Sequence, residues 1–98
     1  MPAQGTVTVG AGATARRFDW RENNNLGRRI RGIYITPRGG QNVHYTGDGI
    51  PYNNHGARAV RNAYETIAQR IANAYVTNGN QWPATVRGPN DTIFTRDQ

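Results

Sequence analysis

The sequence predicts an α+β fold, in which a small antiparallel β-sheet of three to five strands forms a meander and one long amphipathic α-helix packs on one face. Three observations carry that expectation. Short runs of period-two alternation recur through the first half of the chain, glycine- and asparagine-rich breaks separate them, and one 3.6-residue periodicity occupies much of the second half. A chain of 98 residues fits one compact core. Residues 1–98 therefore read as a single domain, with 1–13 and 88–98 as flexible or assembly-mediating ends.

Thr6-Val7-Thr8-Val9 alternates and stops at Gly10-Ala11-Gly12-Ala13, which predicts a short strand and a joint. Residues 14–22 place Arg16, Phe18 and Trp20 on one side of a second strand and Arg17 and Asp19 on the other. Asn23-Asn24-Asn25-Leu26-Gly27 supplies residues that tolerate left-handed backbone, as a turn requires. Residues 29–36 concentrate β-branched and aromatic side chains in Ile30, Ile33, Tyr34 and Ile35 and predict the strongest strand. Pro37-Arg38-Gly39-Gly40-Gln41 ends it, and residues 42–46 should return beside it as a hairpin.

The helix follows a breaker-rich segment, residues 47–56. Val60, Tyr64, Ile67, Ile71 and Tyr75 form its apolar stripe, flanked by Ala57, Ala63, Ala68 and Ala74, with Arg58, Asn62, Glu65, Gln69 and Asn73 opposite. Asn53 or Asn54 would cap its start and Asn78-Gly79 its end. Residues 84–87 and 92–95 read as short strands or an ordered tail anchored by Trp82.

Composition removes several chemistries. The chain has no cysteine, lysine or serine and a single leucine, Leu26. Disulfides, thiolate nucleophiles, cysteine zinc sites, lysine phosphate loops, Schiff bases and serine hydrolysis are excluded. The six carboxylates form no metal-ligand spacing, so no metal and no cofactor is expected. No run is long and apolar enough to cross a bilayer, the polar helix face is not basic, and the start lacks a basic region before an apolar run. The expectation is no membrane partner and a place inside a cell, virion or assembly.

The net charge is +6, and all twelve cationic side chains are arginine. A guanidinium grips phosphate bidentately and stacks on bases, so a polyanionic partner is favoured. Arginine density is greatest in the meander: residues 1–49 carry seven against three acids. Arg29 and Arg31 would share a face, and Phe18, Trp20 and Tyr34 offer rings of the kind single-strand binders use. Phe18 and Tyr34 read as core and Trp20 as the ligand-facing ring. The expected function is noncatalytic binding of nucleic acid, DNA or RNA, through Arg16, Arg17, Trp20, Arg28, Arg29, Arg31 and Arg38, with no catalytic residue and no small-molecule ligand.

Two alternatives belong to other classes. Abundant Asn, Thr, Gly and Gln, open sheet edges and one uncovered sheet face suit a self-assembling coat, filament or decoration subunit, hence a homo-oligomer. A small nuclease is the other. His44 and His55 with Arg58, Glu65 or the tyrosines would form a metal-free ribonuclease site. Gly32-Ile33-Tyr34 is followed after ten residues by Tyr45-Thr46-Gly47. This hairpin resembles the paired-strand signature of the GIY-YIG nuclease family over about sixteen residues, with Thr46 in the place of an isoleucine. The resemblance implies that Tyr34 and Tyr45 orient and deprotonate a water while Arg58 or Arg61 stabilises phosphate charge. It also implies a metal-holding glutamate on a later element, whereas the only glutamate after the hairpin is Glu65 on this same helix.

Overall fold

A computed structural model describes residues 3–23, 30–47 and 56–97. Among them, six strands form one antiparallel sheet: β1 (Gln4–Val9), β2 (Arg16–Asn23), β3 (Gly32–Pro37), β4 (Val43–Thr46), β5 (Thr85–Arg87) and β6 (Ile93–Arg96). Their spatial order is β1-β2-β3-β4-β6-β5. The meander is as expected, and the sheet gains β5 and β6 because the last hairpin inserts β6 beside β4. The strand count is thus six rather than three to five.

The helix α1 (Ala57–Thr77) starts from Gly56, with no side-chain cap there. Asn53 and Asn54, the expected caps, lie outside the described residues, as does the turn after Asn23. At the other end, the Gly79 N–H donates to the Val76 carbonyl at 3.2 Å and the Asn80 N–H to the Tyr75 carbonyl at 2.9 Å. Those two bonds make a Schellman closure, and Gly79 meets its left-handed demand with φ 68°.

The apolar stripe is core: Val60, Tyr64, Ile67 and Ile71 are buried, together with Ala63, Ala68 and Ala72. They meet Val7, Phe18, Trp20, Ile33, Ile35, Tyr45 and Phe94 from the sheet. The small alanines let the helix lie close to the strands, and aromatic rings fill the volume that leucine usually fills. Trp82 does anchor the tail, its ring 4.0 Å from that of Tyr75 and edge-on to Phe18 at 6.4 Å between centroids.

The sheet curls around the helix. Helix α1 touches both β1 and β5, although these are the two edge strands at opposite ends of the sheet. Side chains flanking the apolar stripe reach the edges themselves. Gln69 Nε2 donates to the Thr8 carbonyl at 3.0 Å and Arg61 Nη2 to the Gln4 carbonyl at 3.3 Å, both on β1. Arg70 Nη1 donates to the Arg87 carbonyl of β5 at 2.9 Å. The helix thus takes up part of each edge, at Gln4 and Thr8 on β1 and at Arg87 on β5, which narrows the open edges expected from the sequence.

Candidate nucleic-acid interface

Alternation along the strands divides the sheet into two faces. On β2, Phe18 and Trp20 turn to the helix, while Arg17, Asp19 and Arg21 are exposed on the other side. On β3 and β4, Ile33, Ile35 and Tyr45 are buried, whereas Tyr34 and His44 belong to the outer face and are half-buried. Among the described residues, no element lies across that outer face.

The register builds a row across it. Gln4 pairs with Arg21, Arg21 with Tyr34, and Tyr34 with His44. Beside His44 lies Asp97, immediately after β6. The Arg21 guanidinium sits over the Tyr34 ring, 4.2 Å from its centroid. The His44 ring lies on the other side of the row, 4.5 Å from Tyr34 and tilted by 43°. Gly32 makes this possible, since a β-carbon there would stand 2.5 Å from His44 Nε2.

His44 is held at both ring nitrogens. Nδ1 bonds the Asp97 carboxylate, and Nε2 lies 3.0 Å from Asn23 Nδ2. An ionised carboxylate only accepts, so the Asp97 contact assigns a proton to Nδ1. Thr46 Oγ1 lies 2.9 Å from each carboxylate oxygen of Asp97. The hydrogen bond from His44 holds the Asp97 carboxyl below its ordinary pKa, with Thr46 acting in the same direction.

This geometry reorders the expected site residues. Trp20, expected to face a ligand, is 3% exposed and stacks on Tyr64 at 6.4 Å. It shares the helix-facing parity of Phe18, and Arg61 covers its ring from the helix at 5.7 Å. Tyr34, expected in the core, is the ring on the outer face. Arg17 is exposed there, and Arg38 is exposed in the turn after β3, its backbone N–H on the Arg17 carbonyl at 3.0 Å. Arg16 lies on the helix side, bonded to Asn80 and 5.7 Å from the Tyr75 ring centroid. Arg31 is exposed but precedes β3, and its backbone N–H donates to Tyr64 Oη at 2.8 Å. Arg28 and Arg29 lie outside the described residues, so the pairing of Arg29 with Arg31 does too. Asn23 and Asp97 were not singled out by sequence reasoning. Arg21 lay within the arginine-rich run, and its alternation with Asp19 was the available signal.

The geometry separates the two tyrosines of the hairpin resemblance and bears on the ribonuclease arrangement only through His44, Arg58 and Glu65. Tyr45 pairs with Ile33 and Tyr34 with His44, so the two tyrosines project from opposite faces of the sheet. Tyr45 is fully buried, its hydroxyl donating to the Pro83 carbonyl at 2.7 Å, and burial pushes its pKa up to about 12. A water cannot meet both hydroxyls. His44 likewise lies across the sheet from the helix that carries Arg58 and Glu65, and Glu65 is engaged by Arg61 at 2.9 Å. His55 lies outside the described residues. Among the described residues, no three His, Asp or Glu side chains gather as a metal-binding group. No helix described is long and apolar enough to cross a membrane.

No family model matches this chain, and comparison with curated proteins and with solved structures finds no match.

Proposed function

We propose that the protein binds single-stranded nucleic acid noncatalytically across the outer face of its sheet. The observation that supports this reading most directly is the stacked pair of Arg21 and Tyr34 in a cross-strand row ending at His44. That face lies opposite the helix and carries a further guanidinium at Arg17, in a chain of net charge +6. Guanidinium groups supply phosphate attraction, and a ring-guanidinium platform supplies a sequence-tolerant surface for bases. A duplex buries its base faces, so such a platform suits an unpaired strand.

Fluorescence anisotropy with labelled single-stranded RNA and DNA dodecamers across a salt series tests the proposal. Arg17→Ala with Arg21→Ala should weaken binding and flatten the slope of log affinity against log salt by about 1.4, roughly 0.7 for each lost phosphate contact. Arg58→Ala with Arg61→Ala removes the same charge from the helix side and should leave the affinity much closer to that of the unaltered protein. Equal losses in the two double variants would reduce the interaction to general charge attraction. Absence of binding at low salt would end the proposal.

A further inference from the structure

We infer that the groove beside Tyr34 is a guanine-selective subsite within this outer face. The inference rests on the strand-binding reading and names the base that the face prefers. The groove is a shallow one, open to solvent, with a volume of about 700 Å³, the scale of a site for a small organic ligand. Two adjacent cross-strand rows form its floor, Thr6-Asp19-Thr36 and Gln4-Arg21-Tyr34. The turn at Gly40, Gln41 and Asn42 makes a wall. Successive rows on one face of an antiparallel sheet stand roughly 7 Å apart along the strand, a distance that one base spans. With Arg21 and His44 already against the Tyr34 ring, a base stacks on the Arg21 guanidinium, and from there it can turn an edge toward Asp19 in the next row.

Asp19 is the acid of that floor, and an ionised carboxylate only accepts hydrogen bonds. Its Oδ1 accepts from Thr6 Oγ1 at 3.1 Å and lies 3.9 Å from Arg17 Nε, contacts that orient the group. Both of those contacts fall on Oδ1. Guanine presents two neighbouring donors on one edge, N1–H and the N2 amino group, and so matches a carboxylate in a fork. Adenine and cytosine bring a single amino group to the corresponding edge, and uracil a single imino N–H. The same carboxylate repels phosphate, so the gain it brings to binding comes through a base that donates to it. Specificity and general affinity are thus assigned to different side chains of one surface, Asp19 for the first and Arg17 and Arg21 for the second.

Two labelled strands separate the subsite from the wider reading: a uridine dodecamer, and the same strand with two central guanosines. The guanosines should tighten binding on the order of tenfold, the scale of hydrogen bonds to a charged acceptor. Asp19→Asn should erase that gain while affinity for the uridine strand holds or rises, because the amide places a donor opposite a donor and removes a negative charge. Asp19 is exposed, so the variant should keep the thermal midpoint of the unaltered protein. Unlabelled guanosine monophosphate distinguishes the source of the base. Displacement of the guanosine strand down to uridine-strand affinity shows that the groove takes the free nucleotide, and resistance to it shows that the base is read only within a strand. Equal affinity for the two strands, or a guanosine preference that survives in Asp19→Asn, overturns the subsite and leaves strand binding standing. If neither strand binds at low salt, both readings fall.

Discussion

Tyr34 and Tyr45 stand on adjacent paired strands, yet one belongs to a surface and the other to a core. Their pairing partners show why: Tyr45 lies opposite Ile33 and Tyr34 opposite His44, so a single step of the two-residue strand period separates their environments. Facing the helix, a phenol is desolvated, and its hydroxyl finds the Pro83 carbonyl. On the outer face, the same ring carries an arginine and a histidine. One sheet thus holds two unlike chemistries about a backbone's thickness apart. Residue type by itself says little about which chemistry a side chain joins, and parity says a great deal.

The sharpest way to break this division is to put a charge on the helix-facing side. Ile67→Asp places a carboxylate at a fully buried position of the stripe and should cost more than about 4 kcal/mol, enough to unfold most of the protein. Gln69→Asp, two residues away, removes a bond to the β1 edge and should cost about 1 kcal/mol. Urea denaturation of the two variants measures the contrast, and similar midpoints would show that the stripe is misassigned.

A smaller effect comes from raising the pH. Burial pushes Tyr45 and Tyr64 up to about 12 from an ordinary value of 10.0. Both folded values exceed the unfolded ones, so their stabilising effect is complete below pH 10 and is lost as the pH climbs to about 12. Between those limits the unfolded chain releases protons that the folded chain retains. Ultraviolet absorbance at alkaline pH should therefore show these two phenols ionising together with loss of structure. Tyr45→Phe combined with Tyr64→Phe should shift that structural transition upward in pH, even though the variant starts from lower stability.

The outer face should respond least, and at the acid end. Asp97 has its pKa lowered from the ordinary 3.8 by the hydrogen bond from His44, a depressed carboxylate whose contribution is present above the unfolded value and disappears as the pH falls through the folded one. Asp97 is exposed and the pair is screened by solvent, so the change should be slight. Stability curves for the unaltered protein and Asp97→Asn should separate modestly above the ordinary carboxyl value of 3.8 and converge as the pH falls below it. Curves that stay parallel would detach Asp97 from the His44 network.

Local patterns made much of the core legible. The helix needed only the recurrence of Val60, Tyr64, Ile67 and Ile71, and the β3 to β4 hairpin needed only breakers between two apolar runs. Trp20 was legible too, because its parity with Phe18 already put the two rings on one side of β2; the appeal of a tryptophan as a stacking ring obscured that. The rest depended on contacts between distant segments. Asp97 joins His44 across 53 positions, and it does so because β6 slots in beside β4. No periodicity within either segment encodes that neighbour. Gln69 read as part of the polar helix face and Arg61 as a phosphate-stabilising group of the hairpin resemblance, and their reach to β1, like that of Arg70 to β5, follows from the curl of the sheet.

Those three side chains also bear on how the protein would behave at high concentration over long times. Strand addition needs free edge carbonyls, and one helix takes up two of them on β1, at Gln4 and Thr8, and one on β5, at Arg87. Detachment of that helix, an event within a single molecule, would free those three acceptors. Where that opening limits conversion to fibrils, the lag should depend only weakly on protein concentration, whereas collision between exposed strands would shorten the lag steeply as the solution is concentrated.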